Sequence, residues 1–387
     1  MSFYHKLGDI PRVKHTTFLK KDGKSLFREE LVSSKGFSGV YSTKYHYSMP
    51  TSLLASKPVQ LYKDVTWPDA QTLCYHCFTD KKQEGGDFIR ARNVFLQNEH
   101  CTIATCRVSD DTNEFYRNGY AAEYIFVHQG SGKLLSEYGE IDFGEYDQLV
   151  IPRATMYQLK FDSYSKDNKL LVIESSTGYE IPRHYRNDYG QLEEHAPYCE
   201  RDIRPPQVLN PRDEKGEFRL ILKAGDRYFE HVLPHHPFDV VGWDGYLYPY
   251  AFSMRDFHPK VARIHLPPPV HLAFITDHFV ICNFVPRPFD FHEAAIPAPY
   301  YHFNIDSDEV LYYVDGDFMS RKGVVRGSIT LHPGALPHGP QPGKTEASVG
   351  AGETREWAVM IDTFSPLRPT LNVKETRDEG YSQSWLE

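Results

Sequence analysis

The apolar positions of this chain fall in short runs of four to eight residues: Ala122-Glu-Tyr-Ile-Phe-Val-His, Gln148-Leu-Val-Ile-Pro, Lys169-Leu-Leu-Val-Ile-Glu, Phe218-Arg-Leu-Ile-Leu-Lys and Val310-Leu-Tyr-Tyr-Val. Gly, Pro, Asn or Asp stands close to each run, which predicts strands punctuated by turns. No 3.6-residue apolar stripe is sustained, because Pro interrupts most windows that are long enough to carry one. Twenty-seven prolines, 26 glycines and a high aromatic content (26 Tyr, 24 Phe and 4 Trp) agree with that reading. The pattern predicts an all-β dominated chain of jelly-roll sandwiches or barrels with few, peripheral helices. A length of 387 residues suits two such units. The stretch Tyr185 to Pro211, with little apolar pattern, predicts a long surface connection.

Composition narrows the function. Forty per cent of residues are hydrophobic and 25% charged, as in ordinary globular proteins. The net charge is -9, from 43 basic and 52 acidic residues, and no Lys/Arg cluster is interleaved with aromatics, which argues against nucleic acid as a partner. No apolar run approaches the roughly 20 residues of a membrane span. The opening segment lacks the basic and apolar regions of a signal peptide, so a cytoplasmic address is expected. Six cysteines are too few for a disulfide scaffold and are expected as thiols. Cys74-x2-Cys77 and Cys101-x4-Cys106 have spacings that suit zinc. Cys101 and Cys106, however, sit at odd spacing in a strand-like run, which sends their sulfurs to opposite faces.

Eleven of the 19 histidines follow position 230, so the chemistry is expected there. Two segments share one punctuation. In the later one, His302-Phe-Asn304 precedes Glu309, then Gly316, then Pro333-Gly-Ala-Leu-Pro-His338. In the earlier one, Arg117-Asn118 precedes Glu123, then Gly130, then Pro152-Arg-Ala-Thr-Met-Tyr157. Both contain Glu-x6-Gly and Pro-x4-His/Tyr.

This frame resembles the two characteristic motifs of the cupin superfamily, small β-barrels in which His-x-His, a Glu and a distant His bind one metal. Asn304 stands at the second histidine position. The resemblance implies a metal centre on His302, Glu309 and His338. Arg117 and Tyr157 stand at the matching positions of the earlier copy, which implies a metal-free, structural barrel. Two imidazoles and one carboxylate suit Fe(II) and leave open positions for substrate and O2. His332 is a candidate supporting partner of the metal ligands or a gate to the pocket.

The run Pro237-Phe-Asp-Val-Val-Gly-Trp-Asp-Gly-Tyr-Leu-Tyr-Pro-Tyr250 resembles the signature of the homogentisate 1,2-dioxygenases, and Tyr300-Tyr-His302 through Pro337-His338-Gly-Pro340 fits the same family in the same order. That resemblance implies an N-terminal β domain over 1–257, containing the metal-free cupin-like barrel, and a C-terminal cupin-like catalytic domain over 258–387. It further implies an assembly of trimers or hexamers, non-haem Fe(II), a small aromatic acid and O2 as partners, and extradiol-type opening of homogentisate to maleylacetoacetate in tyrosine and phenylalanine catabolism. The family's active-site histidine falls at His265, with His271 as the competing position. An imidazole suits that role because it accepts a phenolic proton near neutral pH.

Arg321 and Lys322 are candidates for the substrate carboxylate, and Tyr301, Asn304 and His332 for the remaining substrate contacts. The chain departs from the family pattern in three places. The His-to-Glu spacing has one extra residue, which makes Asp308 a rival to Glu309. Asp315 replaces a basic residue. Phe318 replaces a tyrosine that would hydrogen-bond substrate, with Tyr301, Tyr312 and Tyr313 as possible substitutes. Gentisate or hydroquinone cleavage, or a non-catalytic bicupin that binds a small aromatic, are the competing readings.

Overall fold

A strand buried on one face alternates apolar and polar residues, whereas one buried on both faces reads as an unbroken apolar run. The central strands of this protein are of the second kind. The computed structural model describes residues 3–386 apart from 37, 83, 165 and 166. Among the described residues the strands form sheets of eight, seven, six, four and two strands, with only two short α-helices, Lys344–Ser348 and Leu371–Thr376.

The three largest sheets stack in layers, the eight-stranded sheet in the middle. Its strand Ala122–Gln129 turns Ile125 and Val127 into a core shared with Leu134, Tyr157 and Ile221 of the seven-stranded sheet. The alternate residues, Tyr124 and Phe126, enter a second core shared with Val310, Tyr312 and Ile361 of the six-stranded sheet. Cys101 lies in the second core and Cys106 in the first, on opposite sides of their strand Cys101–Val108, so their sulfurs do not converge. The fold is strand-dominated, as expected, and of the two expected forms it takes the sandwich, with open sheets stacked in layers. A middle sheet that serves two cores needs no closure onto itself to bury both faces.

The stretch Tyr185 to Pro211 also differs from expectation. It is fastened to the core by Tyr185, Leu192, Tyr198 and Ile203, all buried. Tyr198 donates its hydroxyl to the Ala273 carbonyl at 2.5 Å, and Tyr185 donates to that of Leu272 at 2.8 Å. Anchors spaced five to seven residues apart follow neither helical nor strand period, so no pattern announced them.

A buried histidine pins the middle layer to the six-stranded sheet. Arg326 donates Nε–H to His128 Nε2 at 2.8 Å, which leaves Nδ1 to carry the ring proton towards the Tyr312 hydroxyl 2.5 Å away. Burial and the Arg326 charge push His128 down to about 3, so the ring is neutral.

The two echoing frames rest on the same backbone device. Strands Ala122–Gln129 and Asp308–Asp315 each end at a glycine with positive φ, Gly130 at 110° and Gly316 at 97°. A Cβ on Gly316 would stand 2.4 Å from the Arg355 carbonyl oxygen, so the turn admits no side chain. Register corrects the earlier copy by one residue. Tyr157 pairs with Tyr116, as His338 pairs with His302, so the counterpart of His302 is Tyr116 and not Arg117.

At the earlier copy's centre Arg92 bridges two carboxylates, Glu123 Oε1 at 2.6 Å and Glu174 Oε1 at 2.9 Å. Tyr157 donates to Glu123 Oε2 at 2.7 Å, and Lys223 binds Glu174 at 2.5 Å. Burial opposes the charge on Glu174, but Lys223 and Arg92 outweigh it and hold the carboxyl below its ordinary range. Removing the guanidinium would leave two buried carboxylates short of a partner. Arg92→Met is therefore expected to lower unfolding stability by about 3–5 kcal/mol in urea titrations, and wild-type stability would contradict this role.

Candidate metal centre

The six-stranded sheet has one face in the core. The other carries titratable groups, because Glu309 alternates with Val310 along Asp308–Asp315. Glu309 is paired across the sheet with His332 on Ile329–His332 and with Asp362 on Trp357–Thr363. His302 and His338 lie in loops joined by two backbone hydrogen bonds, His302 N–H to His338 O at 2.9 Å and the reverse at 2.8 Å. That two-residue bridge brings their rings to 4.4 Å between centroids.

One ligating atom from each of His302, Glu309 and His338 lies within 4.8 Å of the others. His302 Nε2 is 3.4 Å from Glu309 Oε2, and His338 Nε2 is 3.5 Å from Oε1. Each Nδ1 faces a carbonyl, His302 that of Tyr300 at 3.2 Å and His338 that of Leu336 at 2.9 Å. A carbonyl only accepts, so each Nδ1 carries a proton, and a neutral ring then directs its Nε2 lone pair towards the carboxylate. His338 Nε2 is buried with no hydrogen-bond partner. An orphaned lone pair beside a second imidazole and a carboxylate fits a divalent cation.

Electrostatics agree with that fit. Burial opposes ionisation of Glu309, yet the His302, His332 and His338 rings around it hold its carboxyl well below the ordinary range. The Glu309 hydrogen bond raises His302 above its ordinary value in the metal-free chain. Burial pushes His332 down to about 4, so it is neutral. Burial, and then the Glu309 charge, push Asp362 up to about 7.

Strand alternation distinguishes the two acids at the extra residue. Asp308 turns away from the imidazoles and accepts backbone N–H groups from Gly334 and Leu367, each at 2.7 Å. A cleft of about 720 Å³ lies on that side, lined by Trp67, Asp306, Asp308 and Arg368. His332 donates Nδ1–H to Glu309 Oε1 at 2.7 Å, and its Nε2 meets the Tyr381 hydroxyl at 2.9 Å. Tyr381 and Asp362 had no signal in the chain, since neither belongs to a spaced motif.

The other candidates are dispersed. Arg321 is buried, donating to the Gly339 carbonyl at 2.5 Å with its guanidinium 5.7 Å from the Trp385 ring centroid. Lys322 is exposed and donates to the Pro342 carbonyl at 2.9 Å. The Asn304 backbone carbonyl accepts the Ala335 N–H at 2.7 Å. Tyr312 faces the core on His128, so it is no substitute for the missing phenol. Tyr313 shares its hydroxyl with Thr330 at 3.1 Å and packs on Phe318.

His265 lies outside the cluster, in an exposed groove of about 500 Å³ with Ile296, Tyr300 and Tyr301. Its Nδ1 is 2.8 Å from Asp290 Oδ2, and its ring is 5.5 Å from Tyr300, which is 6.0 Å from His302. His271 is buried against Phe284 at 4.7 Å, and burial pushes it down to about 3.

A family model described as "Homogentisate 1,2-dioxygenase N-terminal" matches residues 89–254, the part of the chain that contains Arg92 and Glu123. The "Putative dioxygenase SSO1533" of Saccharolobus solfataricus is 41% identical over 388 residues, covering 100% of this chain and 99% of that one. The chain belongs to the homogentisate 1,2-dioxygenase family.

Within that family, the "Homogentisate 1,2-dioxygenase" of Bradyrhizobium diazoefficiens is 29% identical over 283 residues, 68% of this chain but only 61% of that protein's length. A Leptotrichia buccalis "Cupin 2 conserved barrel domain protein" superposes with a TM-score of 0.35 at 9% identity, over 77% of this chain and 99% of its own. The family's signature run places Trp243, fully buried, on the strand Val240–Gly245, where its indole N–H binds the Tyr138 carbonyl at 2.8 Å. Its part is structural. Glu309→Gln is expected to abolish stoichiometric binding of a divalent cation in equilibrium dialysis. Asp308→Asn should lose about 1–3 kcal/mol of stability and still bind the cation. The opposite pattern would exchange the roles of the two acids.

Proposed function

We propose that this chain is an Fe(II)-dependent, extradiol-type ring-cleaving dioxygenase that holds its metal on His302, Glu309 and His338. Its substrate on this reading is homogentisate or a related dihydroxyphenyl acid, and its product maleylacetoacetate or an analogue. The observation that carries the reading is the convergence of two imidazole Nε2 atoms, one of them buried and unpartnered, on one ionised carboxylate. The family, and the names of its members, support the reaction class.

When bound, Fe(II) supplies the redox chemistry by which O2 reacts with an electron-rich ring. The chain's own groups supply position and proton transfer. Asp290 accepts the Nδ1–H of His265, so Nε2 bears the lone pair that accepts a phenolic proton. Tyr300, Tyr301 and Ile296 form the apolar walls for an aromatic ring beside it. His332 fixes Glu309, while Arg321 and Lys322 are the positive charges proposed for the substrate carboxylate, with Asn304 lining the approach to His302. Phe318, which packs on Tyr313, offers no phenol to the substrate, and gentisate or hydroquinone is the second reading.

The division at 257/258, a metal-free first unit, assembly as a trimer or hexamer, a cytoplasmic setting and a role in aromatic amino-acid catabolism belong to the same proposal. No helix among the described residues is long and apolar enough to cross a membrane. The protein is to be purified anaerobically, loaded with Fe(II) and followed for O2 uptake with homogentisate, gentisate and hydroquinone separately. One iron per chain and one O2 consumed per molecule of at least one substrate are expected. Uptake with none of the three despite bound iron would overturn the reading.

A further inference from the structure

The segment 378–386 forms one wall of the metal centre. Asp378 donates its N–H to the His76 carbonyl at 2.7 Å, and Trp385 donates its indole N–H to the Gly339 carbonyl at 3.0 Å, beside His338. Between these fastenings Tyr381 is 2% exposed, and its ring packs 5.3 Å from Trp385 and 5.4 Å from His76. Its hydroxyl meets His332 Nε2 at 2.9 Å and accepts from the buried Arg321 guanidinium, which turns its own proton towards His332.

The protonation pattern along this line is fixed by its far end. The Glu309 carboxylate accepts only, so His332 carries its proton on Nδ1. A neutral ring then offers a lone pair at Nε2, and the Tyr381 hydroxyl donates to it. Hydroxyl, imidazole and carboxylate form a directed chain that engages Glu309 Oε1 and leaves Oε2 facing His302. We propose that Tyr381 is a positioning residue for the metal: by holding the His332 ring in place at Nε2, it fixes the Glu309 carboxylate so that Oε2 is the oxygen offered to the cation. The inference rests on the metal-centre reading given above. It adds to that reading a residue from a remote segment.

Without the hydroxyl, His332 Nε2 loses its donor and the ring is held at Nδ1 alone, so Glu309 Oε1 is less firmly placed. The test uses Co(II), whose visible d–d bands report the coordination of a bound ion, with full-length protein and neither substrate nor O2. Tyr381→Phe keeps the ring and its packing. It is expected to weaken Co(II) binding by about tenfold and to change the d–d bands, while the metal-free protein keeps a single cooperative melting transition.

His332→Phe should weaken binding comparably, and adding Tyr381→Phe to it should change affinity less than about twofold, since residues acting through one partner are not additive. Trp385→Phe, which alters the wall but not the relay, should leave the bands unchanged. Unchanged affinity and bands in Tyr381→Phe would overturn the proposal. So would a Tyr381→Phe effect that persists in full beside His332→Phe, or a wild-type protein that binds no Co(II). A wild type that binds Co(II) with the expected variant pattern yet consumes no O2 when loaded with iron would sink the dioxygenase reading alone.

Discussion

Glu309 is a carboxylate in a place water hardly reaches, and it is ionised there because three imidazoles converge on it. An isolated buried charge is costly enough that a carboxyl would take up a proton instead. Around this centre the fold has to deliver His332 from the neighbouring strand and His302 and His338 from loops bridged to each other. Strand alternation does the sorting. Val310 and Tyr312 enter the core that joins the layers, while Glu309, between Asp308 and Val310, turns to the opposite side.

The earlier frame meets the same requirement by other means. Glu123 stands on an equivalent eight-residue strand closed by an equivalent glycine, but its charge is met by Arg92 and its second oxygen by Tyr157. A guanidinium bridging two carboxylates fills the centre of the first unit with fixed positive charge. In the second unit imidazole nitrogens, from His302 and His338, take the place of that fixed charge. One backbone solution thus supports a closed ionic core and a carboxylate ringed by imidazoles, and the choice lies in a few side chains.

Much of this was legible in the sequence because the governing periods are short. Apolar runs at Tyr124–Val127 and Leu170–Ile173 read as strands, and their lack of alternation reflects burial on both faces. The Glu-x6-Gly frames were visible because a positive φ leaves glycine as the residue that fits. Register was legible only in part. Tyr116 stands as far before Glu123 as His302 stands before Glu309, and the pairing of Tyr116 with Tyr157 confirms that count over Arg117.

Arg92, Asp362 and Tyr381 were invisible for a different reason. They reach their partners across 31, 53 and 49 residues, and no local period links such positions. Strand spacing left sandwich and barrel both open, because it says nothing about a middle sheet shared by two cores. The anchors within Tyr185 to Pro211 were missed because isolated apolar residues in a polar stretch have no period.

The central claim concerns where one ion sits. Diffraction from crystals of the iron-loaded protein, recorded on both sides of the iron absorption edge, locates the metal without reference to activity. A single anomalous peak per chain is predicted, bounded by His302 Nε2, His338 Nε2 and a Glu309 oxygen. A peak between Arg92, Glu123 and Glu174, or none near Glu309 in crystals that contain stoichiometric iron, would contradict it.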